Sequence, residues 1–389
     1  MFPRISDLIN YLFGTNIDLP VNSYGLMMAI AFIAGGLIIW LELRRKEREG
    51  LIHSQQKKVL MGGPPALPEL LFTILFGFII GWKFIGIILN YPEFSRMPED
   101  YILSAKGSIG GALLLAVLLG GYTWLRMKKK QLKQPYWKEE TVHPQELTPM
   151  ILMVAAFFGI IGAKIFDMME HLDDLIHDPV STLLSFSGLT FYGGLIVASF
   201  AVLWYASRHK IRVPYMLDTA APGLILAYAI GRIGCQLSGD GCWGVINTSP
   251  KPGWLGFLPD WMWSFRYPHN VIDEGNLITN CTGPHCHILG MPVLPTPFYE
   301  TVLGLIIFGI LWGLRKRLKI PGYLFCIYLI LNGIERFFIE RIRINRVYDV
   351  LGMYLTQAEI IAVFLVVIAI VGFWYFRMKN EKTEGLGNS

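Results

Sequence analysis

The chain has 389 residues, of which 53% are hydrophobic, and its formal net charge at pH 7 is +5. Because the apolar residues form long blocks rather than short amphipathic periods, the composition predicts an all-α polytopic membrane protein. The basic residues lie in short loops and form no continuous stripe, which argues against nucleic-acid binding. The N-terminus shows no pattern of a removable signal peptide.

Nine apolar blocks are long enough to count as membrane spans. They cover residues 24–41, 67–89, 108–124, 149–168, 189–206, 215–237, 297–314, 322–339 and 358–376. One alternate set of loops, with the C-terminal tail, holds 22 Lys and Arg residues, whereas the other set, with the N-terminal segment, holds 8. The positive-inside rule therefore predicts an external N-terminus and a cytoplasmic C-terminus.

The second and third spans look like a copy of the fourth and fifth. IIGWKFIGIIL (79–89) aligns with IIGAKIFDMME (160–170), and IGGALLLAV (109–117) aligns with YGGLIVASF (192–200). We therefore predict that the hairpin of residues 67–124 duplicates that of residues 149–206, in one domain over residues 1–389. Both copies have the same orientation, unlike the inverted repeats of many transporters.

The longest loop, residues 238–296, is predicted to be external and contains the segment GWLGFLPDWMWSFRYPHN. Its aromatic residues suit a lid that lies on the lipid headgroups. Trp254, Trp261 and Trp263 fit an ordinary interfacial anchor equally well, so both interpretations stay open.

Charged residues converge at the outer ends of the predicted spans. Arg232 lies near the outward end of the sixth span, where a cation needs an anionic partner and is functional by default. Glu300 begins the seventh span, and the eighth carries Glu335, Arg336 and Glu340 to the same face. Arginine binds phosphate in a bidentate manner and keeps its proton, so we predict an anion site for a phospholipid headgroup. The alternatives are a structural network that ties helices together and a snorkelling Arg232.

Other candidate residues share this predicted depth. Glycines around Arg232, including Gly231, leave the backbone open to a ligand. Arg343 shares a helix face with Arg336 and Glu340. The remaining candidates at this depth are Tyr24, Lys164, Tyr192, Gly193 and Gly194.

Five segments resemble motifs of the bacterial prolipoprotein diacylglyceryl transferases. They are NSYGLMMAIAFIAG (22–35), GLTFYGGLI (188–196), LDTAAPGLILAYAIGRIGCQLSGDGCWG (217–244), PTPFYE (295–300) and NGIERFFIERIR (332–343). The hairpin 67–124 would be an addition to that family's usual seven spans. The resemblance implies a multi-pass enzyme of the bacterial inner membrane. It would transfer diacylglyceryl from phosphatidylglycerol to the lipobox cysteine of a prolipoprotein signal peptide at the outer face, without metal or soluble cofactor.

By the same resemblance, Arg232 and Arg336 would hold the lipid phosphate and stabilise charge on the leaving group. Glu340 would orient Arg336, and Tyr24 and Glu300 would line the site.

The chain also departs from the family pattern. Tyr192 replaces the family's His before Gly-Gly, Cys235 and Ser238 replace Asn residues, and Asp240 replaces Glu. A tyrosine of pKa about 10 is a poorer base than a histidine near 6.5, although a thiol of pKa about 8.5 is already partly ionised at neutral pH. Tyr192 or Asp240 could take the proton. The alternatives are a divergent transferase with another acceptor and a non-catalytic lipid-binding or transport protein.

Cys281 and Cys286 lie in the predicted external loop, where oxidising conditions favour a disulfide. A rival interpretation is a metal site with His285 and His287, although the spacing fits no standard zinc pattern.

The other three cysteines lie in or next to predicted spans. Cys235 and Cys242 could be packing residues, a second disulfide or a nucleophile, with packing favoured. Cys326 is predicted to be inert core.

Overall fold

The computed structural model describes residues 1–19, 21–61, 63–64, 66–91, 94, 101, 104, 106–132, 134–172, 190–281, 283–345, 347–350 and 353–387. The predicted start of the fifth span at Leu189, and Gly188 of the motif before it, lie outside these residues.

Ten α-helices occur in the part of the chain that the structure describes. They are α1 (Ile5–Phe13), α2 (Ser23–Arg48), α3 (Leu67–Leu89), α4 (Ile109–Lys130), α5 (Thr148–Glu170), α6 (Phe191–Arg208), α7 (Val213–Ser238), α8 (Thr296–Leu314), α9 (Tyr323–Glu340) and α10 (Gln357–Gly387). Six short strands form three antiparallel pairs, β1 (Gln55–Met61) with β2 (Tyr136–Val142), β3 (Asn276–Leu277) with β4 (His287–Ile288), and β5 (Val347–Val350) with β6 (Met353–Thr356).

Seven of these helices, among the described residues, are long and apolar enough to cross a membrane: α2, α3, α4, α5, α7, α8 and α10. The predicted all-α polytopic membrane class is therefore confirmed. The two other predicted spans correspond to α6 and α9, which have 18 residues each. At 1.5 Å per residue they are about 27 Å long, just under the hydrocarbon thickness of about 30 Å, and α9 also carries three charged side chains.

The chain divides into two compact units. One comprises Met1–Thr15, Asn22–His53 and Pro144–Ser389, and the other comprises Asn16–Val21 and Ser54–His143. The second unit therefore contains the predicted extra hairpin 67–124, as α3 and α4, together with the β1–β2 pair. One transferase domain over residues 1–389 stays a prediction.

The two helical hairpins are each closed by glycines that let the backbones approach. A Cβ on Gly81 of α3 would overlap the carbonyl of Gly111 on α4, and a Cβ on Gly162 of α5 would overlap that of Gly193 on α6. Gly81 and Gly162, on the first helices of the two hairpins, are 81 residues apart. Gly111 and Gly193, on the second helices, are 82 residues apart. Our sequence alignment gave an offset of 83 for the second helices, one residue more than these packing contacts. The duplication itself stays a prediction.

In the larger unit, α7 is the helix on which α2, α8 and α9 pack. Gly35 of α2 lies against the backbone of Gly223 on α7, which brings these two helices close. Asp218 of α7 accepts hydrogen bonds from the Gly322 and Phe325 amides, 2.7 Å and 3.0 Å away, and so caps the start of α9. As a result the end of α7 meets the start of α2, the start of α8 and the end of α9.

The loop of residues 238–296 has a small core of its own in its described part. Tyr267 is fully buried there and packs against Trp243, with ring centroids 5.0 Å apart. Burial raises the pKa of the Tyr267 phenol well above its ordinary value. Trp254 and Phe257 instead remain 76% and 80% exposed. The loop therefore presents aromatic side chains outward from an ordered base, although its function as a lid stays a prediction.

Candidate functional site

Three arginines surround one buried carboxylate. Glu300, near the start of α8, has no exposed surface. Its Oε2 lies 3.2 Å from Arg232 Nε, and its Oε1 lies 3.1 Å from an Arg336 guanidinium nitrogen and 3.6 Å from one of Arg343. The Tyr228 hydroxyl lies 3.1 Å from the same Oε1. Glu300 thus links α7, α8 and the end of α9.

Two more carboxylates complete what we call the arginine–glutamate network, which consists of Arg232, Glu300, Glu335, Arg336, Glu340 and Arg343. Glu340 lies 3.3 Å from Arg336, and the Asn345 amide donates to it. Glu335 lies 3.3 Å from the Tyr228 hydroxyl. The three arginine side chains keep 17%, 21% and 12% exposure, whereas the glutamates are sealed at 5% or less. The accessible face of the network is therefore cationic.

The helix ends set the depth of this face. Arg232 lies six residues before the end of α7, and Glu300 and Arg336 lie four residues from the relevant ends of α8 and α9. At 1.5 Å per residue these positions are about 6–9 Å inside the helix ends. The cations therefore lie near one end of these helices rather than at their midpoints.

A turn that follows α7 lies beside the network. Gly239 and Gly241 adopt φ values of 65° and 86°, which glycine tolerates best. The Cys242 amide donates to Asp240 Oδ1 over 3.2 Å, and the Cys235 Sγ lies 3.9 Å from an Arg232 guanidinium nitrogen. The hydrogen bond with Cys235 lowers the pKa of the Cys242 thiol, and the Arg232 charge acts in the same direction. A carboxylate oxygen of Asp240 lies within 4.8 Å of the Cys235 sulfur, which itself contacts Arg232.

Tyr24 and Gly231 also lie near this turn. Tyr24, 37% exposed at the start of α2, contacts the position of Gly234 and lies within electrostatic reach of Arg232 and Asp240. Gly231 faces Met28 of α2. Ser238, in contrast, is 1% exposed and donates its hydroxyl to the Gly234 carbonyl over 2.9 Å. The Ser238 hydroxyl is therefore hydrogen-bonded within α7.

Tyr192, Gly193 and Gly194 are on α6, which packs chiefly on α5. Both glycines are buried, Gly193 against Phe166 and the Gly162 carbonyl, and Gly194 against α5 one turn earlier. Tyr192, beside these glycines near the start of α6, is half-buried. Lys164 of α5 pairs with Asp167 on its own helix, 3.0 Å away. In the structure, these glycines therefore serve helix packing.

Sequence reasoning missed two polar members of the site. Tyr228 bridges Glu300 and Glu335, and its ring lies 5.1 Å from the Arg232 guanidinium carbon. Its position four residues before Arg232 places it on the same helix face and could have identified it. Asn345 follows the end of α9, and no periodic signal indicates its contact with Glu340.

The histidines of the external loop do not form the metal site that we considered. Cys281 and Cys286 form a disulfide with Cα atoms 5.6 Å apart, as predicted. Because both sulfurs are used, the proposed four-ligand set is excluded. His285 and His287 instead lie 3.4 Å and 3.3 Å from one carboxylate oxygen of Asp273.

Comparison with known proteins gives one consistent result. A family model described as prolipoprotein diacylglyceryl transferase matches residues 110–375. That match includes α7, α8 and α9 but leaves the motif in α2 unmatched.

Individual relatives have the same description. The phosphatidylglycerol-prolipoprotein diacylglyceryl transferase of Dehalococcoides mccartyi strain 195 is 28% identical over 247 residues, which is 61% of this chain and 79% of that protein. The protein of that name from Leptospira interrogans is 26% identical over 257 residues, covering 60% of this chain and 71% of its own length. The one from Xylella fastidiosa strain 9a5c is 29% identical over 239 residues, covering 57% and 75%.

Proposed function

Because the chain belongs to the prolipoprotein diacylglyceryl transferase family, we propose that it transfers a diacylglyceryl group from phosphatidylglycerol to the lipobox cysteine of a prolipoprotein. The cysteine thiol attacks the glyceryl carbon, and glycerol phosphate leaves. The observation that carries this proposal is the cationic face of the network, where three partly exposed arginines are held by the buried Glu300.

The lipid phosphate binds to Arg232 and Arg336. Glu300 engages Nε of Arg232 and one terminal nitrogen of Arg336, so each guanidinium keeps further N–H donors for an anion. When the C–O bond breaks, negative charge grows on the phosphate oxygen. Donors that are already oriented towards that oxygen stabilise the charge without reorganising.

The buried acids position these arginines. Glu300 holds Arg232 and Arg336 together, and Glu340 orients Arg336 from the next helical turn. Tyr24 lines the opening beside Arg232. In this scheme the packed glycines Gly193 and Gly194 shape the α5–α6 hairpin and do not touch the lipid.

The acceptor thiol must lose a proton. Asp240 is our first candidate for the proton acceptor, because it belongs to the turn after α7, where the Cys235 sulfur contacts Arg232. A carboxylate is a weak base towards a thiol of pKa about 8.5.

We place the site at the outer leaflet of a bacterial inner membrane. The loops that follow the opposite helix ends hold the larger share of Lys and Arg, 22 against 8, which supports a cytoplasmic position for those ends. Exported preproteins then meet the enzyme from outside.

The test uses the full chain, purified in phosphatidylglycerol-containing micelles, with a lipobox peptide. Glycerol phosphate release is compared with a peptide whose cysteine is changed to alanine. We expect release that requires the cysteine. Release with both peptides would indicate lipid hydrolysis or another acceptor, and no release from folded protein would contradict the proposed function.

A further inference from the structure

The turn after α7 gathers three potential metal ligands. The Sγ atoms of Cys235 and Cys242 and a carboxylate oxygen of Asp240 all lie within 4.8 Å of one another. Cys235 is buried, whereas Asp240 and Cys242 are half-buried, so an ion could reach the group from one side. Thiolates and carboxylates are both ligands of Zn²⁺, and three protein ligands with one open position are the pattern of catalytic zinc sites.

The ligands are ordered by the fold itself. Gly239 ends α7 in the left-handed conformation, and its amide donates to the Cys235 carbonyl over 3.0 Å. Asp240 accepts the Cys242 amide through Oδ1, which leaves its second oxygen for an ion. The Thr296 hydroxyl donates to the Cys242 carbonyl over 2.6 Å and ties the turn to α8. Such preorganisation lowers the entropic cost of binding.

The group also lies where the acceptor has to bind. Cys235 Sγ is 3.9 Å from an Arg232 guanidinium nitrogen, and we assigned Arg232 to the lipid phosphate. A sulfur held at the open position would therefore lie beside the phosphodiester that reacts. The positive charge of Arg232 also offsets part of the charge of two thiolates and one carboxylate.

We propose that Cys235, Asp240 and Cys242 bind a thiophilic divalent cation such as Zn²⁺, and that its open position takes the acceptor cysteine as a thiolate. This proposal rests on the proposed function and names the activating group of that same site. A thiol that coordinates such an ion is deprotonated outright. The ion thereby replaces the strong base that neither Tyr192 nor Asp240 supplies.

The reaction balances without a redox partner. The acceptor S–H loses its proton when it coordinates, and its sulfur electron pair forms the S–C bond to the lipid glyceryl carbon. The C–O bond to the phosphate breaks, and its electron pair stays on the phosphate oxygen beside Arg232. That oxygen finally carries the proton as glycerol phosphate, and the cation keeps its oxidation state.

The first test is a Co²⁺ titration of the full chain in detergent, reduced with a phosphine so that no disulfide joins Cys235 and Cys242. Cys281→Ser and Cys286→Ser are present in every sample, so that reduction of their disulfide frees no competing thiols. Thiolate coordination of Co²⁺ produces a charge-transfer band, and we expect it to saturate at about one ion per chain. Cys242→Ala and Asp240→Asn should weaken binding by more than the about 10- to 100-fold that loss of an outer-shell partner costs. Asp240→Asn preserves the acceptor for the Cys242 amide, so it guards against a simple folding defect.

Cys326→Ala is the matched control, because Cys326 is a free, buried cysteine on α9 outside this group. It should keep the band and the affinity. Absence of the band in the reduced protein, or an unchanged band in Cys242→Ala, would overturn the site.

The second test adds the lipobox peptide to the Co²⁺-loaded protein. A third thiolate should strengthen the charge-transfer band, whereas a peptide with serine in place of cysteine should not; equal spectra would overturn the acceptor assignment. Chelation should abolish glycerol phosphate release, and Zn²⁺ should restore it. Release that survives verified metal removal would overturn the activating function. If both spectra are as expected but no release occurs with Zn²⁺, the proposed transferase function is wrong and the metal site is supported.

Discussion

Arg232 on α7 and Glu300 on α8 form an ion pair across two packed helices, with Nε and Oε2 3.2 Å apart. Glu300 is fully buried, whereas the Arg232 side chain keeps 17% exposure. The buried carboxylate therefore positions a guanidinium group that keeps part of its surface accessible. Removing one partner of such a pair typically costs about 3–5 kcal/mol, because the other charge stays buried and uncompensated.

Arg232→Ala and Arg336→Ala should each reduce glycerol phosphate release by at least about 100-fold, because each removes preorganised donors from the leaving phosphate. Arg315→Ala is the matched control. Arg315 also pairs with a buried carboxylate, Glu42, 3.0 Å away, but it follows the opposite end of α8. It should keep its activity per folded molecule, and full activity in either test variant would contradict the phosphate assignment.

Glu300→Gln should lower both thermal stability and activity. The amide keeps the shape of the side chain but leaves three guanidinium groups without their shared counter-charge. Glu42→Gln provides the comparison, because Glu42 is 1% exposed and pairs with Arg45 and Arg315 away from the network. Both variants should melt at lower temperature in detergent, but only Glu300→Gln should lose transfer per folded molecule. Equal activity losses in Glu300→Gln and Glu42→Gln would show that Glu300 has only a structural function.

Tyr192→Phe should leave the transfer rate and its pH profile unchanged, because Tyr192 is on α6, which packs chiefly on α5 rather than on the helices that carry the arginines. A large rate loss, with the melting temperature preserved, would restore the hydroxyl as proton acceptor. The chelation response of the variant should equal that of the unmodified protein.

Tyr228→Phe should lower stability by about 1–3 kcal/mol, the usual cost of leaving buried polar groups unsatisfied. The Tyr228 hydroxyl is the donor that lies within 3.1 Å of Glu300 and 3.3 Å of Glu335. Thermal unfolding in detergent measures the effect. Tyr122→Phe is the control, because Tyr122 on α4 is 64% exposed, and it should not change the stability measurably. Equal stability losses in the two variants would argue against the Tyr228 bridge between Glu300 and Glu335.

Gly193→Ala should lower the melting temperature, because its methyl group would overlap Phe166 and the Gly162 carbonyl. Gly313→Ala is the control, since no described atom beyond its own stretch of helix lies within 4 Å of the position of its added methyl group. Alanine there should be neutral or stabilising by up to about 1 kcal/mol. If Gly193→Ala weakens lipid binding without loss of stability, our packing interpretation is wrong.

The sequence by itself determined the membrane class and the charged half of the site. Long apolar blocks form helices in lipid, because a helix satisfies the hydrogen-bonding groups of its backbone within the same segment. Arg232, Glu300 and Arg336 were predictable for the same reason, since charges near span ends stand out against apolar neighbours and need partners.

Tertiary structure decided which side chains meet. Whether Gly193 touches a lipid or α5 depends on helix packing, which composition does not encode. The bridge from Tyr228 to two glutamates, and the meeting of Cys235, Asp240 and Cys242, depend on how α7 ends and how its turn folds back. The sequence does not reveal such contacts, because they depend on distances that only the folded chain sets.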